Sequence, residues 1–448
     1  MTDNEEMQDS GIEWIGAIPQ GWKVERLKKV STIKSSNVDK KDYPDQIPVR
    51  LCNYVDVYYN DVIDSSIKFM KSTASDLEYK KFHLSAGDVV LTKDSETPDD
   101  IAVPAYVAEN IDDLVCGYHL AVMQANHKLD GKFLFRAIQS TGIKEQFYRL
   151  ATGITRFGLK IHELESVLIP LPPLLEQRAI AQYLDQHCGK LDAIIAIKQR
   201  QIKALDVLRQ SIIYHAVTKG LDDSVPLVDS GVEWLGNIPQ GWKQYRIKDV
   251  AELSPNYSKN NPDPDELCTV IPMEKVTVKG DIDVSNLEQY ENITKGLTSF
   301  ENGDVIFAKI TPCMENGKGA YVTNLPTRYA FGSTEFHVLR SGYKLNGKFL
   351  YYYTYNRAFR DYAALNMTGA AGQKRVSTNF LKYTIIYLPD ISEQQCIAGH
   401  LDQENQRLND LKENLSQQIS TLQAYKKALI YECVTGKKRI NADVLKAG

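Results

Sequence analysis

Two groupings of side chains in this 448-residue sequence have the types and spacing for chemistry. Cys116 and His119 are spaced like half of a metal site. Asp94, Glu96, Asp99 and Asp100 form an acidic run of the kind that could hold a metal in a nuclease. The sequence completes neither. The seven cysteines are scattered and contain no Cys-x-x-Cys pair, which fits free thiols in a reducing compartment better than a zinc site or a disulfide frame. The acidic run has no counterpart with a nearby lysine in the second half of the chain, so a solvated loop is its plainer reading. There is no Gly-x-x-x-x-Gly-Lys-Ser/Thr phosphate loop, no Gly-x-Gly-x-x-Gly after a strand, no His-Glu-x-x-His and no Gly-x-Ser-x-Gly elbow. Asn-Pro-Pro-Tyr and Asp-Pro-Pro-Tyr, the motifs of adenine methyltransferases, are also missing. What remains is a protein that binds or scaffolds.

The elements available to position binding groups come in duplicate. Leu171 to Gly220 returns as Leu388 to Lys437, with Leu-Pro, Glu-Gln, Leu-Asp-Gln and Val-Thr at a constant offset. Apolar residues there recur in steps of three and four, which is a heptad seam. In the first copy the seam reads Ile180, Leu184, His187, Leu191, Ile194, Lys198, Ile202, Leu205, Leu208, Ile212, Ala216. In the second it reads Ile397, Leu401, Glu404, Leu408, Leu411, Leu415, Ile419, Leu422, Tyr425, Leu429, Cys433. Each copy predicts a helix roughly 66 Å long at 1.5 Å per residue. A helix with so narrow an apolar stripe needs a partner, and the two copies offer each other.

A head precedes each helix. Asp9–Val30 repeats from Asp229, and the two blocks hold all four tryptophans, Trp14, Trp22, Trp234 and Trp242. They read as a docking clip or as the first piece of a domain core. In the first head the candidate strands are Ile47–Cys52, Asp88–Thr92, Ile101–Val107, Val115–Gln124 and Ser166–Leu171. Gly131–Leu150 reads as one helix, repeated from Gly347. Residues 221–230 read as a polar linker, and the basic tail KKRINADVLKAG as loose. The ends of the two repeats match closely while their middles share little. A common frame therefore carries two different inserts. The expected fold class is α+β: two α/β heads joined by two long helices in an antiparallel coiled coil, with an internal pseudo-two-fold repeat. The expected boundaries are 1–173 for the first head, 174–230 for the first helix and linker, 231–390 for the second head, and 391–448 for the second helix and tail.

Composition bounds the rest. Lys and Arg number 53 against 57 Asp and Glu, a formal net charge of −4, so bulk charge carries no nucleic-acid signature. The sequence has no run of 18 apolar residues and an acidic, polar start. It therefore reads as cytoplasmic, with no membrane partner.

With these motifs in place, the chain resembles the specificity subunit of type I restriction–modification enzymes. The residues that carry the resemblance are Gly-x-Glu-Trp-x-Gly-x-Ile-Pro-x-Gly-Trp at 11–22 and 231–242, Leu-Pro-Pro-Leu-x-Glu-Gln at 171–177 and Leu-Pro-Asp-Ile-x-Glu-Gln at 388–394. Each of the latter leads into a long helix ending in a Val-Thr motif. The resemblance implies a non-catalytic reader of double-stranded DNA, with each head a target recognition domain for one half of an asymmetric split site. It further implies two methyltransferase subunits that bind S-adenosylmethionine, nuclease/translocase subunits that use ATP and Mg, and no cofactor on this chain.

The expected DNA contacts lie on loops rich in glycine, cations and amides. In the first head the loop 152–160 offers Thr152, Thr155, Arg156 and Lys160. Its partner at 368–375 offers Gln373, Lys374 and Arg375. A second pair of loops offers Asn37, Lys40 and Lys41 in the first head, with Asn256 and Lys259 in the second. A third offers Lys93 and Lys309. For each, a plain surface loop is the alternative. The tyrosines Tyr351, Tyr352, Tyr353 and Tyr355 point around a helix axis, which favours core packing over base stacking. The rival reading of the whole chain is a two-headed coiled-coil scaffold that joins protein partners.

Overall fold

The computed structural model describes residues 6–255, 261–370 and 372–440. It divides into two compact units, Met1–Gln199 with Ser416–Gly448, and Arg200–Leu415. Both long helices, α1 (Leu174–Lys219) and α2 (Ile391–Val434), cross that division. No helix among the described residues is long and apolar enough to cross a membrane.

In the first unit the head has a five-stranded sheet in the order Ser31–Ser35, Leu120–Ala125, Val89–Thr92, Pro104–Val107, Val62–Ile63. The four longer strands pair antiparallel. Ile47–Cys52 lies between Leu114–Cys116 and Met70–Ala74 in a second sheet. Val89 to Thr92 are all buried, as expected of a short β-branched run at the centre of a sheet. The second unit repeats the plan with Ala251–Leu253, Phe336–Ser341, Val305–Ala308 and Gly319–Tyr321 in one sheet. Its other sheet has the order Leu287–Gln289, Leu267–Ile271, Ala330–Gly332, Thr298–Phe300.

Local chemistry revises several expectations. The helix expected over 131–150 is two helices, Gly131–Gln139 and Thr141–Leu150, because Ser140 takes an extended backbone and begins the second. Asn356 makes the same break in the second head and caps Arg357–Leu365 with its side-chain oxygen. The strand expected over 115–124 is interrupted at Gly117–His119, where His119 has φ +67°. The expected strand Ser166–Leu171 keeps only Leu168–Leu171, preceded by a short helix, Ile161–Ser166. Within the linker, Leu227–Asp229 forms a strand on Asn237–Pro239. The tail is docked as far as Ile440, which is buried in the core of the first unit.

The duplicated motifs tie each long helix to its head. Gln177 is fully buried. Its Nε2 donates to the Lys128 and Pro172 carbonyls at 2.9 and 2.8 Å, and its Oε1 accepts from the Asp130 amide at 2.8 Å. Gln394 does the same with Lys344, Pro389 and Asn346. Asp130 and Asn346 in turn cap the helices that begin at Gly131 and Gly347. A Cβ on Gly131 would lie 2.1 Å from the Gly87 carbonyl oxygen, so only glycine fits there. The glutamate beside each glutamine accepts a hydrogen bond from an indole, Trp22 to Glu176 at 3.0 Å and Trp242 to Glu393 at 3.3 Å. The tryptophan blocks are thus core pieces. They also seat the far ends of the long helices: Tyr431 donates to the Ile15 carbonyl and Tyr214 to that of Leu235, both at 3.2 Å.

Within each unit the helices run antiparallel. In the first unit Asp192 pairs with Lys426 at 2.8 Å, and Lys198 donates to Gln418. In the second Asp206 pairs with Lys412 at 2.6 Å, and Arg209 donates to Asn409. The seam is offset by one residue from the expected one at four places. Ile195 and Arg209 are 8% and 7% exposed, whereas Ile194 and Leu208 are 42% and 43% exposed. Lys412 and Lys426 are largely covered beside the exposed Leu411 and Tyr425. These cations bury their aliphatic stems and meet a carboxylate or amide at the edge. His187 sits at the edge, with Nδ1 on the Tyr183 carbonyl and its ring stacked on Tyr183.

Replacing Gln394 with alanine strands two carbonyls and one amide in a buried site. Such orphaned groups cost about 2–4 kcal/mol together, so Gln394→Ala should lower the denaturation midpoint clearly. The exposed neighbour variant Gln395→Ala should change stability by less than about 0.5 kcal/mol. Equal midpoints for the two variants would show that the glutamine does not hold the helix to the head.

Candidate nucleic-acid interface

In the first head Thr152–Gly153 and Phe157–Gly158 form a hairpin that pairs onto Asp94–Ser95. A Cβ on Gly153, at φ +156°, would lie 2.0 Å from the Arg156 carbonyl oxygen, so only glycine lets the hairpin turn this tightly. The tip is open to solvent: Ile154 is 95% exposed, and Thr152, Thr155, Arg156 and Lys160 are all exposed. The Leu159 amide donates to the Lys93 carbonyl, and the Lys93 amide to that of His119. Two concavities result. One, of about 540 Å³, is lined by Ser35, Lys93, Thr152 and Lys160 among others. The other, of about 610 Å³, is lined by Lys40, Tyr54, Tyr58, Tyr59, Tyr118 and His119 among others. They share Asp94 and Arg156. His119 Nδ1 lies 2.6 Å from Asp94 Oδ2. Tyr58 donates to Asp100 at 2.8 Å, and this bond pushes its hydroxyl up to about 12.

The fold therefore brings Lys40, Lys93, Thr152, Arg156 and Lys160 to one surface. Asn37 is exposed but donates its amide to Glu78 at 2.9 Å, and Lys41 lines neither concavity. Tyr54, Tyr59 and Tyr118 escape a reading of the sequence alone, and His119, paired there with Cys116 as half of a metal site, instead lines this surface beside Asp94. Three tyrosines within Tyr54–Tyr59 are the available signal. The other tyrosine run, on the helix Gly347–Tyr355, is core: Tyr353 is fully buried and donates to the Ile385 carbonyl, and Tyr352 is 4% exposed.

The second head builds the same loop differently. Arg375 bridges both Thr368 and Ile310, the Thr311 amide donates to Lys374, and the Val376 amide to Lys309. Gln373 and Lys374 are exposed. Arg375 is clamped by Glu335, with Nη2 at 2.7 Å and Nε at 3.0 Å, and its Nη1 donates to the Gln373 carbonyl. The Arg375 guanidinium holds the Glu335 carboxyl below the usual range. Asp94 and Ile310 are 216 residues apart, whereas their strand partners Gly158 and Arg375 are 217 apart. The second loop is one residue longer. Asn256 and Lys259 lie outside the described residues.

Beneath this loop His337 is 3% exposed and donates from Nε2 to the Val376 carbonyl at 2.8 Å. Burial lowers its imidazole to about 4. The unfolded chain binds a proton near pH 6.5, and the folded head resists it until about pH 4. Stability from the neutral imidazole is therefore present above 6.5 and is lost as pH falls toward 4, at up to about 1.4 kcal/mol per pH unit. Denaturation midpoints should drop across that window in the native chain and less so in His337→Gln. Parallel pH profiles would show that His337 is not buried in its neutral form.

The family model described as "Type I restriction modification DNA specificity domain" matches twice, at residues 19–205 and 239–421. The EcoAI specificity subunit of Escherichia coli is 33% identical over 186 residues, 41% of this chain and 31% of that protein. The EcoEI specificity subunit of Escherichia coli is 30% identical over 36% of this chain and 27% of its own. Both matches thus span less than a third of the relative's length. The putative MjaX specificity subunit of Methanocaldococcus jannaschii is 23% identical over 95% of this chain and 96% of its own. Among solved structures, a chain from a study of complex assembly and conformational transition in a type I R-M system superposes with a TM-score of 0.68 at 18% identity, covering 93% of this chain and 98% of that one. The HsdS subunit from Thermoanaerobacter tengcongensis superposes with a TM-score of 0.52 at 20% identity, covering 94% and 98%.

Proposed function

We propose a function from one premise: the chain belongs to the type I restriction–modification DNA specificity family. In this reading it is the cytoplasmic, non-catalytic reader of an asymmetric, bipartite site in double-stranded DNA. Each head reads one half, and the long helices set the unread gap. Two methyltransferase subunits that bind S-adenosylmethionine dock on the chain, and nuclease/translocase subunits supply ATP- and Mg-dependent cleavage.

The observation that carries this reading is the pair of glycine loops. Both heads present an exposed hairpin at the same place on a common frame, with different side chains. One offers Thr152, Thr155, Arg156 and Lys160, and the other Gln373, Lys374 and Arg375. Identical heads related by a two-fold would read a palindrome, and divergent ones read an asymmetric site. Arginine and lysine suit guanine or phosphate, and glutamine suits adenine. The clamp of Glu335 on Arg375 fixes the direction of that guanidinium. Tyr54, Tyr59 and Tyr118 add stacking faces beside Arg156 and Lys40. Exposed apolar side chains along the helices, Val207 at 71% and Tyr425 at 52% among them, suit a docked subunit.

The deciding experiment is an adenine-methylation map of cells that express this chain with its methyltransferase subunit. A split motif with a fixed gap is expected. No new methylation from an intact, cofactor-loaded complex would favour a scaffold that joins protein partners, the reading suited to a chain without a basic surplus. Arg156→Ala should weaken DNA binding of the assembled enzyme, as should Lys374→Ala combined with Arg375→Ala. Each cation withdrawn from a phosphate should reduce the salt slope by about one. Unchanged affinity and slope in both would remove these loops from the interface. Deleting one heptad from each long helix should change the gap in the methylated motif or abolish methylation, and an active enzyme with the original gap would remove the helices as its determinant.

A further inference from the structure

The two units treat the Trp–Glu pair at the start of each long helix differently. In the first unit the segment after α2 folds back over it. Arg439 lies 5.7 Å from the Trp22 ring and 3.3 Å from Glu176, Lys438 lies over the Tyr183 ring, and Ile440 is buried. Trp22 is only 4% exposed. In the second unit the segment after α1 reads Leu221-Asp222-Asp223, which puts Asp222 in the place of Arg439 and Leu221 in that of Lys438. Trp242 is half-buried rather than covered. It borders an open cleft of about 580 Å³ whose walls include Asp222, Tyr343, Asp390 and Glu393.

Glu393 accepts from the Trp242 indole, and among the described residues no cation lies within ion-pair distance of it. Burial, with Asp390 and Asp222 nearby, raises its carboxyl above the ordinary range. Of the cleft's three lysines, Lys219 is engaged on the Asn237 carbonyl and Lys344 over the rings of Tyr245 and Tyr343, and Lys243 is exposed at its edge. The second unit thus has an indole face and a carboxylate arranged like those that hold Arg439 in the first, with Asp222 at the position that corresponds to Arg439.

We propose that this cleft is a docking seat for an arginine carried on an extended segment of another protein chain, which would lie on Trp242 and pair with Glu393 as Arg439 does with Trp22 and Glu176. A planar guanidinium suits both partners at once, since it stacks on an aromatic face and forks onto a carboxylate. The seat is distinct from the DNA-facing loops and does not depend on their role.

The test uses the full chain and a labelled peptide copying residues 434–440, Val-Thr-Gly-Lys-Lys-Arg-Ile, followed by anisotropy. Saturable binding is expected, at least tenfold weaker for the peptide with citrulline in place of arginine and for the Glu393→Gln chain, which keeps an acceptor for the Trp242 indole. Asp222→Asn, at an exposed position, should weaken binding about threefold and serves if Glu393→Gln fails to fold. No binding, equal binding of the citrulline peptide, or unchanged binding by the folded variants would overturn the proposal. Competition by inorganic phosphate would overturn it in favour of an anion site. Dimerisation of the full chain that is lost on Arg439→Ala would overturn it in favour of a second copy's tail.

Discussion

One buried amide at the first turn of each long helix fixes how that helix leaves its head. Gln177 and Gln394, both fully buried, each bind three backbone groups from two segments. The rest of the frame depends on that junction. The segment it holds carries the helix cap Asp130 or Asn346, and the capped helix begins at a glycine pressed against Gly87 or Gly303. That glycine turn precedes the buried Asp88 or Asp304, which leads into the central strand. The strand runs out to Lys93 or Lys309, where the loops begin. A polar contact at the helix base is thus linked, through backbone, to the surface where the two heads differ.

That frame tolerates change in defined places. Asp88 is met by Gln124, which also accepts from Lys34, whereas Asp304 accepts from Nε and Nη2 of Arg340. One head uses a neutral relay and the other an ion pair at matching positions under the sheet. At the surface His119 faces Asp94 in one head, and Glu335 faces Arg375 in the other. An imidazole at one position gives way to a carboxylate at its counterpart while the backbone bridge between the loop and its neighbouring strand is kept. This pattern suits a scaffold on which binding preference varies without cost to folding.

Much of this was legible because the chain repeats itself. The tryptophan blocks, the Glu-Gln turns and the Val-Thr helix ends could be paired by offset alone, and their repetition gave the order of elements. The seam register was not legible. Ile194 and Ile195 are equally apolar, and hydrophobicity favours Leu208 over Arg209 and Leu411 over Lys412. The packed positions instead go to cations whose partners, Asn409 and Asp206, lie on the other helix some 200 residues away. The candidate loops were legible as loops, but the groups that occupy their side chains were not. Asn37 is engaged by Glu78 and Arg375 by Glu335, both through pairings set by the sheets. Breaks at Ser140 and Asn356 were missed because a polar residue inside a helical pattern becomes a cap only when the next helix turns away.

The two compact units differ in continuity, and this bears on the order in which the chain can be built. The unit from Arg200 to Leu415 is a single stretch. The other is closed by residues more than 400 positions apart, with Tyr431 on Ile15 and Ile440 in the same core as Trp22. A chain emerging from the ribosome can therefore complete its second head first. The first head must wait, with the seat around Trp22 unfilled, until the last helix arrives. Long sequence separation slows closure and leaves apolar surface open in the interval. The N-terminal head, synthesised first, is thus the last to be finished, and the vulnerable period of this protein's synthesis falls on the half that was made earliest.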